Sequence, residues 1–326
     1  MLTKIEAIWQ EEKRKATQKP IDTNDFRLTL VDATAKFAIY GGLDASNFVM
    51  LAIGVTSRPP QLSTNSGSLD YFRHKRGDGK WLMVLRLRQP GLEAVFGRLC
   101  QDLIDATDGV SDEPALLTLF KDRLNLWKKL FQKGGAGLLE GHEIRGLLGE
   151  LLFLKMLLVK GERSASSAVT AWVGPLGANQ DFVFPSSAFE VKAIRPDSEA
   201  VSIASLEQLE SNVPLTLVTI ELISAATGDA GVVSLNSLTT EIESMLAIDA
   251  GALDLYKVRL LEAHYVENEF YETILFTAGQ MNSFEVKAGF PRLLFSTVPT
   301  GIVSSSYSIS IESIKPFIIQ SDNYGK

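Results

Sequence analysis

The chain has 326 residues, 45% hydrophobic and 22% charged, which is typical of a globular protein. A formal net charge of −7 argues against indiscriminate coating of nucleic acid but is compatible with a local cationic groove. No apolar run has membrane-spanning length, and the N-terminus leads into the charged segment 11–15 rather than an export signal, so we expect a cytoplasmic protein.

Several common site chemistries are excluded by what the sequence lacks. Cys100 is the only cysteine, so neither an intrachain disulfide nor a thiolate zinc cage can form. The three histidines are dispersed without ligand-like spacing. The motifs G-x-S-x-G, G-x-x-x-x-G-K-[ST] and G-x-G-x-x-G do not occur, so a serine-hydrolase elbow and a nucleotide motor are not expected.

The N-terminal part is predicted to be rich in β-strands. Short apolar runs between residues 24 and 60 are separated by Gly and Asp, as in an antiparallel sheet. A further hairpin is expected to join residues 69–73 to 81–88 through Gly77-Asp78-Gly79. We therefore expect a β-rich N-terminal domain over residues 1–115.

The rest of the chain is predicted to alternate helices and strands. The Gly-rich stretch 133–140 is a plausible seam, although the helices before it could pack on either part. The expected fold is mixed α/β, with a second domain over residues 116–326. Helices are expected at 92–108, 113–132, 140–160, 205–211, 235–246 and 252–263, and strands at 215–222, 272–276, 282–287 and 306–311.

The segment 180–192 is predicted to form a β-hairpin around the turn Pro185-Ser186-Ser187. Because alternate residues of a strand face the same side, one side of the hairpin should be buried, and it carries Phe182, Phe184, Phe189 and Val191. Asp181, Glu190 and Lys192 fall on the other side. Because the strands fold back, we expect Asp181 to be a cross-strand neighbour of Glu190 and Lys192.

Three charged groups beside a hydrophobic sheet are costly to dehydrate unless a cation neutralises the acids. Asp181, Glu190 and the main-chain carbonyl of Val191 are hard oxygen ligands suited to Mg²⁺, with Mn²⁺ as a substitute, in a site that activates water. Lys192 is expected to orient that water and to offset transition-state charge. The alternative is a surface hairpin with a cross-strand salt bridge.

These residues resemble the motif of the PD-(D/E)XK phosphodiesterase superfamily, which includes many restriction-type endonucleases. Asp181 matches the first acid and Glu190-Val191-Lys192 matches E-x-K, with Gln180 in place of the usual proline and a short interval of eight residues between the acids. The sequence Phe284-Glu285-Val286-Lys287 repeats the tetrapeptide. We interpret the repeat as an ordinary alternating strand.

A closer resemblance covers nearly the whole chain. G-L-L-G-E-L at 146–151, S-x-x-Q-L at 205–209 and G-F-P-R-L at 289–293 resemble a bacterial "PD-(D/E)XK motif protein" family. The resemblance implies a restriction-endonuclease-like core and a setting among phage-defence and restriction genes. It also implies that Glu150 is an auxiliary metal ligand or base and that Gln208 contacts the site. Glu150 could instead lie on a polar helix stripe with Glu143, and Gln208 could be solvated.

Gly146 and Gly149, which precede Glu150 on the same predicted helix, are expected to permit close approach of that helix to the sheet.

In the N-terminal part, residues 71–88 interleave six basic residues with aromatics. Arg73, Lys75 and Arg76 are therefore candidates for a DNA-facing surface. The alternative is a solvated hairpin whose charges protect an edge strand from aggregation.

The leading hypothesis is a Mg²⁺-dependent DNA endonuclease that acts in bacterial restriction or phage defence beside other defence proteins. The alternative is a catalytically inactive nuclease-like subunit that binds DNA or a partner. A third possibility is an assembly subunit in which the N-terminal sheet does the essential work. Since one site per chain usually needs two copies for double-strand cutting, a homodimer is expected.

Overall fold

The computed structural model describes residues 2–23, 25–62, 68–89, 91–132 and 138–324. The chain divides into two compact units, Met1–Leu138 and Leu139–Lys326. This division falls in the Gly-rich stretch predicted as a seam, of which residues 133–137 lie outside the described residues. The helix over residues 113–132 belongs to the first unit, whereas the sequence placed the domain boundary between residues 115 and 116.

The described residues of the first unit form three α-helices and five strands. They are α1 (Lys4–Gln18), β1 (Phe26–Leu30), β2 (Ile39–Asp44), β3 (Val49–Val55), β4 (Leu69–Lys75), β5 (Trp81–Leu87), α2 (Glu93–Ala106) and α3 (Glu113–Gln132). The strands make one antiparallel sheet in the order β1-β2-β3-β5-β4. The β-rich character predicted for this region is confirmed.

Helices cover one face of this sheet. Helix α1 begins with a capping box between Thr3 and Glu6, and the buried Trp9 donates its indole N–H to the carbonyl of Met50 at 2.9 Å. The Trp9 ring stacks on Phe96 of α2 at 5.4 Å. These contacts connect the helices to the sheet and to each other.

The other face is concave because the sheet curls. Phe26 of the edge strand β1 meets two rings of the opposite edge strand β4, with centroid distances of 6.4 Å to Phe72 and 4.8 Å to His74. A groove of about 530 Å³ opens beside these rings. Arg86, which lines the groove, is paired with Asp44 and Asp70 at 2.9 and 2.8 Å.

The described residues of the second unit form five α-helices and eight strands. They are α4 (Gly141–Lys160), α5 (Ala165–Ala171), β6 (Phe182–Phe184), β7 (Ser187–Ile194), β8 (Ala200–Ile203), β9 (Leu215–Ser224), β10 (Val232–Val233), α6 (Leu235–Leu246), α7 (Ala250–Glu262), β11 (Phe276–Val286), β12 (Tyr307–Ser310), α8 (Ile311–Ile314) and β13 (Ile318–Asn323).

The main sheet of the second unit runs in the order β10-β11-β9-β7-β6, with β13 also paired to β11, while β8 and β12 form a separate ribbon. Strand β7 is parallel to β9 and antiparallel to β6. Helix α4 packs over this hairpin through Phe153, whose ring lies 5.0 Å from Phe182 and 5.1 Å from Phe189. The mixed α/β prediction is confirmed.

Two expected elements of this unit are wrong. The helix expected at 205–211 is a 3₁₀ turn, Glu207–Leu209. The strand expected at 272–276 begins only at Phe276, because the side chain of Asn268 accepts from Phe270 N–H and starts a 3₁₀ turn, Glu269–Thr273, instead. The strand expected at 282–287 is present as the second half of β11, which runs unbroken through a register shift between Ala278 and Met281. No helix in the described ranges has the length and hydropathy of a transmembrane segment.

Candidate active site

The predicted hairpin is present and brings Asp181 to β7. Strands β6 and β7 pair Phe182 with Phe189, and Pro185 and Ser186 make the turn. Asp181 precedes β6, and its Oδ2 accepts a hydrogen bond from the main-chain N–H of Val191 at 2.7 Å. Because the N–H and C=O groups of one strand residue project toward the same neighbour, we expect the Val191 carbonyl to face this side as well.

Glu190 is the most deeply buried acid of the site. It is 1% exposed, because β7 lies inside the sheet between β6 and β9. The Nζ of Lys192 lies 2.7 Å from its Oε1. This is an ion-pair distance, and the main-chain N–H of Asp181 also lies near the carboxylate, but neither contact has the geometry of a well-directed hydrogen bond. Glu190 thus retains acceptor capacity inside the protein.

Glu150 reaches the same place from α4. Gly149 lets the helix approach the sheet, since a Cβ there would stand 3.3 Å from the Cβ of Ala193 in β7. A Cβ on Gly146 would meet nothing within 4 Å, so the predicted close approach is confirmed for Gly149 and wrong for Gly146. Glu150 is half-buried, and its Oε2 accepts from the indole N–H of Trp172 at 2.7 Å.

Gly174 lies between two of the acids. Its backbone N–H and that of Val173 both donate to the carbonyl of Asp181, at 3.0 and 2.8 Å. A Cβ built on Gly174 would stand 2.8 Å from Oε2 of Glu150 and 2.9 Å from Oδ1 of Asp181. The two carboxylates therefore converge on the same backbone position, which only glycine can occupy without a clash.

All three acids have raised pKa values. Burial is the largest cause in each case, and the neighbouring Asp181 adds to the rise at Glu150 and Glu190. The pKa of Glu190 rises to about 8 despite the opposing effect of Lys192. The Val191 N–H and Lys192 oppose the rise at Asp181. The acids thus hold protons more tightly than ordinary carboxylates, as expected when like charges share a buried site.

Gln208 also joins this cluster. Its side-chain Oε1 lies 3.2 Å from Lys192 Nζ and accepts from the N–H of Ala204 at 2.8 Å. It sits in a 3₁₀ turn, Glu207–Leu209, where the sequence predicted a short helix. The structure therefore brings together Glu150, Asp181, Glu190, Lys192 and Gln208 in the second unit.

The acid cluster has the donors of a divalent-ion site but not its arrangement. No three His, Cys, Asp or Glu side chains in the described parts of the chain are arranged to hold a metal. The chemistry of the donors nevertheless fits Mg²⁺, because three carboxylates supply hard oxygens and neither Glu190 oxygen receives a well-directed hydrogen bond from the described residues.

The candidate DNA-facing residues lie on β4 and its turn, in the first unit. Arg73 donates to the carbonyl of Pro59 at 2.9 Å, and Arg76 donates to the hydroxyl of Tyr40 at 3.1 Å. Lys75 is exposed, and none of the described residues forms an ion pair with it. Two of the three cations are therefore partly engaged in holding this unit together.

The repeated tetrapeptide on β11 is an ordinary alternating strand, as predicted. Phe284 and Val286 are buried, whereas Glu285 and Lys287 pair with each other at the surface. The sequence did not identify Trp172 and Gly174 as site residues. The Gly174-Pro175 dipeptide signals a tight turn just before the motif, but nothing local indicates that this turn contacts Glu150.

The acids and the lysine described above lie beside the β6–β7 hairpin of a mixed α/β fold. The family described as "Putative PD-(D/E)XK family member, (DUF4420)" matches residues 5–312. The chain belongs to this family, which confirms the resemblance drawn from its motifs. Neither the curated proteins nor the solved structures gave a significant match.

Proposed function

We propose that this protein is a metal-dependent phosphodiesterase that cleaves DNA internally. The observation that carries the proposal is the convergence of Glu150, Asp181 and Glu190 beside Lys192, with both Glu190 oxygens lacking a directed donor from the described residues. A salt bridge that only stabilises the fold needs one acid and one lysine. This site has three acids beside one lysine, and their raised pKa values are typical of a site that binds a cation.

Each residue has a role that follows from its contacts. Asp181 is held by the Val191 N–H, and Glu150 is held by Trp172, so both carboxylates are oriented before a ligand arrives. Lys192 is 20% exposed and can turn part of its ammonium toward a phosphate oxygen. In that position it would stabilise the negative charge that develops during hydrolysis.

Asp181, Glu190, the Val191 carbonyl and Glu150 would hold the metal. When bound, Mg²⁺ or Mn²⁺ would supply Lewis-acid stabilisation of the phosphate and a lowered pKa for the attacking water. The pKa of Glu190, at about 8, means that this acid can carry a proton near neutral pH, and the pKa of Glu150 is raised as well. Metal binding at the site would release protons held by these acids.

The test is cleavage of supercoiled plasmid by the purified full-length chain. We expect nicked or linear product with Mg²⁺ or Mn²⁺, none with EDTA, and none from Asp181→Asn with either metal. Metal-independent cleavage, or full activity in Asp181→Asn, would contradict the proposal. Asp322→Asn is the matched control, because it removes a carboxylate of β13 that lies outside the acid cluster.

The second candidate is a nuclease-like module that binds DNA or a partner without cutting. Two observations favour it: the acids are not arranged as a ready metal site within the described residues, and Lys192 already compensates Glu190. Titration with Mn²⁺ followed by electron paramagnetic resonance separates the two functions. A cutting enzyme binds Mn²⁺ and loses it in Asp181→Asn, whereas an inactive module shows no binding that the substitution removes.

The cellular setting is proposed from the family resemblance. We propose DNA as the substrate, other restriction or phage-defence proteins as partners, and the cytoplasm as the location. A homodimer is proposed because double-strand cutting by one site per chain needs two copies. Sedimentation of the chain with and without a DNA duplex tests the last point.

A further inference from the structure

Gln180 occupies the position where the PD-(D/E)XK motif usually has proline, and its amide has three partners. The side chain is buried, at 8% exposed. Its Nε2 lies 2.8 Å from the carbonyl of Glu207, 3.0 Å from that of Glu210 and 3.3 Å from that of Gln208. An amide has two N–H donors, so they are shared among these acceptors.

The three carbonyls belong to the turn that presents Gln208 to Lys192. The Glu207 carbonyl already accepts from the N–H of Glu210 at 3.0 Å, whereas carbonyls at the end of a short 3₁₀ turn need donors from elsewhere. Gln180 supplies them from the strand side, directly next to Asp181 in the chain. The proline of the usual motif has no N–H group and could not do this.

A second donor to the same turn comes from a residue that follows the turn in the chain, whereas Gln180 precedes it. Arg292, in the G-F-P-R-L stretch, donates from Nη1 to the carbonyl of Leu209. The turn is thus held by Gln180 and Arg292, and Leu209 itself is fully buried. Together these contacts fix the main chain from which the Gln208 side chain extends.

We infer that Gln180 and Arg292 are positioning residues that clamp the Gln208 turn so that Gln208 and Glu190 hold the Lys192 amine between them. Lys192 Nζ lies 3.2 Å from Gln208 Oε1 and 2.7 Å from Glu190 Oε1. Gln208 is the only one of these holders on a turn rather than on the sheet, so its position depends on the clamp. The part of this inference that concerns catalysis rests on the proposed function, whereas the restraint on Lys192 does not.

The restraint can be measured without any nuclease activity. Lys155 is a matched internal reference, because its Nζ lies 2.7 Å from Glu241 and its side chain is 23% exposed, against 20% for Lys192. The full chain is acylated briefly with an amine-reactive ester, and the Lys192-to-Lys155 labelling ratio is measured by mass spectrometry. Global unfolding exposes both lysines, and a control variant that destabilises the fold away from this site shows how far unfolding alone moves the ratio.

We expect Gln180→Met and Arg292→Met each to raise this ratio about fivefold, the effect of losing roughly one hydrogen bond. Gln208→Met should raise it at least as much. Asn236→Leu is the control: it removes a buried amide that donates to Asn268 and Glu272, and it should leave the ratio unchanged. An unchanged labelling ratio in both Gln180→Met and Arg292→Met overturns the inference, even if Gln208→Met raises the ratio.

Catalysis gives an independent readout if the plasmid assay is positive. We expect Gln180→Met to lower kcat and the double variant Gln180→Met/Gln208→Met to be no slower than Gln208→Met alone, since both act through the same contact. A multiplicative loss in the double variant would mean that Gln180 acts by stabilising the fold. A plasmid assay that is negative for the wild type leaves the labelling result intact and contradicts only the proposed function.

Discussion

Trp172 donates its indole N–H to Oε2 of Glu150 over 2.7 Å, from a ring that is fully buried. Trp172 also forms a β-bridge with Phe182, the first residue of the motif hairpin. One residue therefore ties the acid of helix α4 to the strand that follows Asp181. The separation between two of the site carboxylates depends on this contact.

Trp172→Phe should weaken the site more than the fold. It keeps the aromatic packing but leaves Glu150 without its donor, at a cost of about 1–3 kcal/mol in the free energy of unfolding. The pKa of Glu150 should rise further, because the Trp172 bond opposes that rise. Mn²⁺ affinity should fall as well. Trp9→Phe is the control, since it loses a similar buried bond, to Met50, and should keep the metal affinity. Equal Mn²⁺ affinity in the two variants would argue against this role.

Lys192→Ala should abolish Mg²⁺-dependent nicking while the protein stays folded. The substitution removes the cation next to a carboxylate that is 1% exposed, so we also expect a stability loss of up to about 3 kcal/mol at alkaline pH. Plasmid gels and chemical denaturation measure the two effects. Lys155→Ala, which breaks a pair with the more exposed Glu241, should change neither by much. Nicking at the wild-type rate would refute the assigned role.

Gly174→Ala should displace the acids. The new Cβ would lie under 3 Å from oxygens of both Glu150 and Asp181, so one must move, and we expect a destabilisation of about 1–3 kcal/mol with weaker Mn²⁺ binding. Gly146→Ala on helix α4 meets open space and should instead stabilise by up to about 1 kcal/mol. Thermal melts of both variants measure the change in stability, and an Mn²⁺ titration measures the change in metal affinity. A neutral Gly174→Ala would contradict the convergence of the two acids.

The metal-free protein should lose stability as pH rises. The pKa of Glu190 in the folded state is about 8, above the ordinary value of 4.5, so the folded state keeps a proton that the unfolded chain gives up. This contribution is complete below the unfolded pKa and is lost as pH rises through the folded pKa. Glu190→Gln should flatten this part of the pH dependence. Parallel curves for wild type and variant, measured by denaturation across this window, would show that the pKa of Glu190 is not raised.

Lys75→Ala should affect DNA binding without affecting the fold. The side chain is exposed and has no ion-pair partner among the described residues, so melting should not change. If this surface contacts phosphate, the affinity for duplex DNA should fall and the salt slope of binding should drop by about 1. Arg86→Ala is different, since Arg86 bridges Asp44 and Asp70, and it should destabilise the first unit. An unchanged salt slope would remove Lys75 from the DNA surface.

Much of the fold was predictable where apolar periodicity is strong. Helices α3 and α6 have the bounds that the sequence predicts, and the Gly77-Asp78-Gly79 turn joins β4 to β5 as expected. Strand β11 was predicted only in its second half, because Gly279 and Gln280 interrupt the alternation before it. A Cβ at Gly279 would stand 2.8 Å from Oε2 of Glu221, so the register shift there depends on a neighbouring strand.

Part of the candidate site was predictable from local sequence pattern, and part of it depends on tertiary packing. The proximity of Asp181, Glu190 and Lys192 follows from a tight turn and the period of a strand, which are local properties. Trp172, Gly174 and the contacts of Gln180 follow from tertiary packing, which no local pattern encodes. Glu150 lies between these cases, since only the family motif indicated that its helix would contact the hairpin.

Strand β7 hydrogen-bonds to β6 along one edge and to β9 along the other. Its ladder is formed by main-chain groups, so replacing the side chains of Glu190 and Lys192 leaves the strand anchored on both sides. Under the proposed function, a single codon change at either position would therefore end hydrolysis while the scaffold survives. A chain changed in this way should keep the same backbone and compete with the unchanged chain for DNA.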